Sequence, residues 1–199
     1  MKNNRYSLYS LIASAIVLLL GDVLQVLHHE SILWTICLAL SFVLFVGGIP
    51  AINSLIHTSN PTPRLIINIF LLVGAIAGAS MQVLFRAIII LENEKFSEAA
   101  LALSNSTSLK LTTMVPGIFY PFGLILLCIA LFFAKKYPLW KVVLLLMGAI
   151  SFPVGHAIGN VVALVGGDIL LISAWLVLSS DILNNSEKNT ANNNSKFIH

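Results

Sequence analysis

The chain has 199 residues, 58% of them apolar and only 10% charged, with a mean hydropathy of +0.94. A soluble domain carries roughly a quarter charged residues, so an ordinary soluble enzyme is excluded and a polytopic membrane protein fits. The net charge of +3 comes from no basic run of the kind that contacts nucleic acid.

Taken in chain order, the first element starts after Lys2 and Arg5. The apolar run that follows is about twenty residues long and lacks a small-x-small cleavage site, so it reads as a retained helix rather than a signal peptide. Six such runs are long enough to cross a bilayer: residues 7–28, 32–56, 64–91, 109–134, 138–158 and 161–183. The last two form one continuous apolar stretch, and Gly159-Asn160 supplies the tight turn between them. Between the third and fourth runs lies ENEKFSEAALALSNSTS, residues 92–108, where Phe96, Ala99, Ala100 and Leu103 recur at helical spacing. That pattern predicts a short helix on the membrane surface. The Asn-rich stretch 184–199 reads as a disordered cytoplasmic tail. Cys37 and Cys128 sit in apolar runs without CxxC spacing and read as small buried hydrophobes.

Lys and Arg in the short loops set orientation. Lys2, Arg5, Arg64, Lys135, Lys136, Lys141, Lys188 and Lys196 fall on one side. Lys95 and Lys110 fall on the other, with Glu30, Glu92, Glu94 and Glu98. The expectation is an all-α, six-helix transmembrane bundle with both termini cytoplasmic, multi-pass in a bacterial inner membrane.

Polar residues inside the spans are the candidates for function, because each unpaired charge near mid-membrane costs about 2.5–3.5 kcal/mol on insertion scales. At 1.5 Å rise per residue, Asp22 and Arg86 lie roughly 9 Å from the outer ends of their spans, Asp168 roughly 12 Å and His156 about 4 Å. Gln25 and Gln82 share that level. Asp22, Gln25 and His29 form one helical stripe; Gly78, Gln82 and Arg86 form another; Asn160, Leu164, Asp168 and Trp175 form a looser third. Arg86 is therefore expected to offset Asp22 and Asp168, leaving the layer one negative charge over. A proton on an aspartate, a proton on His156, or a bound cation would balance it. The same layer can instead be structural, since Asp–Arg pairs also hold helices together. A metal set of Asp22, His29, His156 and Asp168 has no compact motif behind it, and no metal or other cofactor is expected.

Gly74-Ala-Ile-Ala-Gly78 is a GxxxG, and Ser151, Gly155 and Gly159 repeat small residues every four positions. Both faces invite close helix approach, within the bundle or in a homodimer. VPGIFYPFG, residues 115–123, holds two prolines in one span, so Pro116 and Pro121 predict a kink with the Tyr120 hydroxyl inside it. Pro153 and His156 mark a similar break in FPVGHAIGN. A weak internal echo relates LQVLHH (24–29) to MQVLFR (81–86), and LLVGAIAG (71–78) to LLMGAISF (145–152).

Pro121-Phe122-Gly123-Leu124, then Leu131, then Tyr137-Pro138-Leu139-Trp140 and Leu144 to Gly148 form a helix with Pro and Gly, a short basic turn with Pro, and a Gly-bearing helix. This resembles a pattern in uncharacterised bacterial membrane proteins, small six-helix chains grouped as domains of unknown function. The resemblance implies a six-helix bundle and supplies no catalytic residue.

Three functional classes follow. The first is a small transporter or ligand-binding protein, using Asp22, Gln25, Gln82, Arg86, Tyr120, His156 and Asp168 toward a small-molecule or cationic ligand. The second is a structural or assembly subunit whose polar layer holds helices together. The third is a membrane-embedded enzyme acting on lipid or quinone, which no nucleophile constellation supports. The lipid bilayer is the expected partner in every case, and no nucleic acid is.

Overall fold

The structure is a computed structural model that describes residues 2–28, 31–56 and 61–196, with side chains for residues 5–28, 31–56 and 61–183. Every regular element among the described residues is helical. Six helices are long and apolar enough to span a membrane: Arg5–Leu27, Ile32–Leu55, Pro61–Asn93, Thr107–Ala134, Leu139–Ile158 and Val161–Leu183. Each turns bulky apolar side chains outward, among them Ile16, Leu40, Ile76, Phe132, Ile150 and Leu176. An apolar outer surface on every helix is what lipid solvates and water does not. The protein is a multi-pass membrane protein.

We label the helices α1 (Lys2–Leu27), α2 (Ile32–Leu55), α3 (Pro61–Asn93), α4 (Ser97–Asn105), α5 (Thr107–Leu109), α6 (Val115–Gly117), α7 (Phe119–Ala134), α8 (Leu139–Ile158) and α9 (Val161–Lys196). Elements α5, the π-helical turn Lys110–Met114, α6 and α7 follow one another through the fourth span. Spatial order follows chain order: α1 packs on α2, α2 on α3, α3 on α7, α7 on α8 and α8 on α9, and α9 returns to α1. The six spans thus close into a ring. Its centre is filled by Trp34, Phe45, Leu71, Leu124 and Trp175, each all but fully buried.

Local chemistry explains the ends. Ser31 caps α2, its hydroxyl accepting from Leu33 N–H at 3.2 Å. Gly159 closes α8 at φ +63°, where a side chain is rarely tolerated. Asn160 Oδ1 then accepts from Ala163 N–H at 3.0 Å and starts α9. The expected turn between the fifth and sixth spans is therefore built from the expected residues. The predicted surface helix exists as α4, folded against α3 with Ala100 buried.

Two features differ from expectation. α9 continues as helix to Lys196, through much of the stretch expected to be disordered. Extending a formed helix fixes one residue per added hydrogen bond, so the last turn of the span can nucleate polar turns beyond it. The fourth span breaks earlier than its prolines alone predict. A π-turn runs over Lys110–Met114, and the α-pattern breaks again at Ile118. Pro116 and Pro121 lack N–H groups, so Thr112 and Gly117 carbonyls have no donor four residues on. Ile118 N–H reaches back to the Val115 carbonyl at 3.3 Å and to that of Pro116, three and two residues before it.

The small-residue faces are used inside the chain. A Cβ on Gly74 would fall on the backbone of Tyr120, and one on Gly78 would meet the Phe42 ring. A Cβ on Gly155 would lie 2.5 Å from the Leu164 nitrogen. These glycines hold α3 against α7 and α2, and α8 against α9.

Candidate functional site

The candidate residues gather at the end of the bundle opposite the termini. There, α1, α2, α3, the first half of the fourth span and α8 enclose an open cavity of about 690 Å³. Gln25, Gln82 and His156, which depth along the helices puts at one level, line it, and so does Tyr120 from the kinked fourth span. So do residues that sequence reading missed: Trp34, Phe42, Phe85 and Phe152, with Glu92 at the exposed rim. A signal was present for Phe85, three residues from Gln82, and for Phe152, four residues from His156, whereas Trp34 and Phe42 share their helix with no polar candidate; single aromatics in apolar runs read as core.

Asp22, Asp168 and Arg86 do not line this cavity. Asp22 and Asp168 are completely buried behind its wall. Their carboxyls, on α1 and α9, are close enough for each to feel the other's charge. No donor reaches either oxygen of either group. The expected Arg86 bridge is therefore not formed. Arg86 stands on α3, which packs on α2 and α7, whereas the aspartates sit where α1 meets α9. Equal depth put the three in one layer; azimuth around the ring separates them.

His156 takes the place expected of Arg86. Its Nε2 lies 3.4 Å from Asp22 Oδ1, longer than a formed hydrogen bond and short enough for an ion pair. Its Nδ1 lies 3.2 Å from the Phe152 carbonyl. A carbonyl oxygen only accepts, so Nδ1 carries the hydrogen. Nε2 then faces a carboxylate oxygen, which also only accepts when ionised. A proton must sit on one side or the other for that contact to be attractive. The same holds between the two carboxyls. His156 is thus the link between the cavity and a sealed carboxyl pair.

Tyr120 joins the same assembly. Its ring stands edge-on to Phe45 at 4.9 Å, Phe42 at 5.4 Å and Phe152 at 6.2 Å, and its phenol feels the charge of Asp168. Tyr120 also lines an enclosed pocket of about 10 Å³ with Ser14 and Ser41, room for one water at most. The two serine hydroxyls donate to Leu11 and Leu38 carbonyls at 2.7 Å each, leaving their lone pairs free to accept.

Among the described residues no three His, Cys, Asp or Glu side chains converge as a metal site. His29, a member of the metal set considered from sequence, lies outside the described residues, and His28 is exposed. Buried carboxyls with no formed hydrogen bond, one of them in contact with a cavity-lining histidine, are the features of a binding or proton-exchanging site in a membrane protein. No protein-family model matches the chain, and no characterised protein or solved structure does.

Proposed function

We propose that this protein binds, and in its membrane transports, a small molecule whose occupancy of the cavity is linked to protonation of the His156–Asp22–Asp168 cluster. The carrying observation is His156, which forms part of the cavity wall and lies 3.4 Å from a completely buried carboxyl that accepts no formed hydrogen bond. Asp22 and Asp168 contribute two negative charges, and two protons make the three-residue cluster neutral without Arg86. A ligand arriving beside His156 changes how firmly those protons are held, so its affinity must depend on pH. In this reading both termini face the cytoplasm, because the Lys and Arg residues of the short loops gather at that end, and the cavity opens to the other side.

One observation favours the structural reading instead: neither aspartate is exposed to the cavity. The two readings separate on Asp168→Asn. A panel of small amphiphiles is screened by thermal shift on the purified protein at about pH 6 and pH 8, on either side of an ordinary histidine. Under the proposed function, hits stabilise the wild type to different extents at the two pH values, and the difference vanishes in Asp168→Asn. Hits with the same pH response in both proteins, or a variant that changes abundance alone, would make the layer structural.

A further inference from the structure

The wall of the cavity carries information about what fits it, on the premise that the cavity is the binding site just proposed. We infer that the ligand is an amphiphilic organic cation, held by aromatic faces and by the Glu92 carboxylate at the rim, with the His156–Asp22 contact in the wall.

Trp34, Phe42, Phe85, Tyr120 and Phe152 bring rings to one space from α2, α3, α7 and α8. Aromatic faces attract cations, most strongly cations that shed water easily. Glu92 puts a carboxylate at the rim. On the α8 side of the wall, His156 is backed by Asp22, and Asp22 by Asp168. Among the lining residues there is no Lys and no Arg. Arg86 belongs to α3 but not to the wall. An anion would find one full positive charge at most, on protonated His156, with two carboxyls behind it.

Size and polarity exclude the other cations. A compact inorganic cation needs several oxygen ligands to replace its water. This wall offers two amides, one carboxylate and one phenol, spread around about 690 Å³. A cavity of that volume suits a molecule of drug size. A cation beside His156 disfavours the proton on its ring. The charged group in contact with that ring is Asp22 from α1, at 3.4 Å, with Asp168 from α9 behind it; Tyr120 and Glu92 line the same cavity, and Arg86 of α3 does not. Binding of the cation therefore expels a proton, and affinity rises with pH.

The test uses the full chain in lipid nanodiscs with two probes of nearly equal shape and opposite charge, tetraphenylphosphonium and tetraphenylborate. Equilibrium dialysis gives both affinities at about pH 6 and pH 8. Ala157→Trp, an exposed position on the wall, fills the cavity and separates specific binding from partition into lipid. Tetraphenylphosphonium is expected to bind at least about tenfold more tightly than tetraphenylborate, and more tightly at the higher pH. Glu92→Gln should weaken the cation by about threefold or more and leave the anion unchanged or improved. Ala157→Trp should abolish the preference. Borate binding equal to or tighter than phosphonium binding, and lost in Ala157→Trp, would overturn the ligand class while leaving the cavity as a binding site. Insensitivity of both probes to Ala157→Trp would overturn the class and the proposed function together.

Discussion

Two clusters of charged side chains sit toward opposite ends of this bundle, one half-buried and one completely buried, and they are built in opposite ways. Toward the termini, Lys141 Nζ lies 2.8 Å from both oxygens of Asp181 and 3.3 Å from the Val177 carbonyl. Its side chain keeps 12% of its exposure and that of Asp181 keeps 25%. Toward the other end, Asp22 and Asp168 have no exposure and no donor. The first group is a matched pair at the membrane boundary, where a Lys stem can lie along apolar surface with its head near water. The second is two like charges with only a histidine at hand. A pair that serves the fold is satisfied in place. A cluster left short of protons can respond to what enters beside it.

Substitutions can sharpen or break that contrast. The largest effect should come from Gly155→Ala, whose new methyl meets backbone atoms of Leu164 that cannot rotate away. It should cost about 3 kcal/mol in unfolding and move His156 relative to α9. Chemical unfolding in detergent would read the loss, and wild-type stability would show that the α8–α9 contact yields.

Next comes a paired test. Lys141→Met leaves Asp181 without its partner and should cost about 2 kcal/mol. Asp168→Asn supplies the donor that Asp22 lacks, so it should leave stability unchanged or raise it by about 1 kcal/mol. Thermal unfolding of both variants would settle the sign. If Asp168→Asn destabilised as much as Lys141→Met, the two ends would not differ as described.

The smallest effect belongs to the loop before α8. Burial, and then the charge of Asp181, push the Tyr137 phenol up to about 12. Its unfolded value is about 10. A raised folded value means stability that is fully present below about pH 10 and is lost as pH rises through about 12. Tyr137→Phe should flatten that alkaline limb and change nothing near neutrality, where the hydroxyl makes only a 3.4 Å contact with the Leu55 carbonyl. An alkaline limb unchanged in the variant would remove Tyr137 as its cause.

The legible and illegible parts of the site divide along a physical line. Span positions and the Gly159–Asn160 turn were readable, because hydropathy and turn chemistry act along the chain. Part of the polar layer was also readable: Gln25, Gln82 and His156 meet at one cavity because rise per residue sets depth. Rotation around the ring was not readable. Periodicity gives each helix a stripe without saying which neighbour the stripe meets, so Arg86 was assigned to carboxylates that α9 and α8 approach instead. Trp34, Phe85 and Phe152 were missed for a different reason. A ring that lines a cavity and a ring that fills a core have the same hydropathy.

The ring topology has a consequence for how the chain is made. Spans enter the membrane from the N-terminus onward, and each finds its predecessor already beside it. Asp22 is present from the first span, yet Asp168 and the wall of α9 that covers Asp22 arrive only with the last. Until that final insertion the bundle is an open arc with a carboxyl on its free edge. The closing step both completes the barrier and brings the second carboxyl to the first. A chain stopped before α9 would lack both Asp168 and the helix that closes over Asp22.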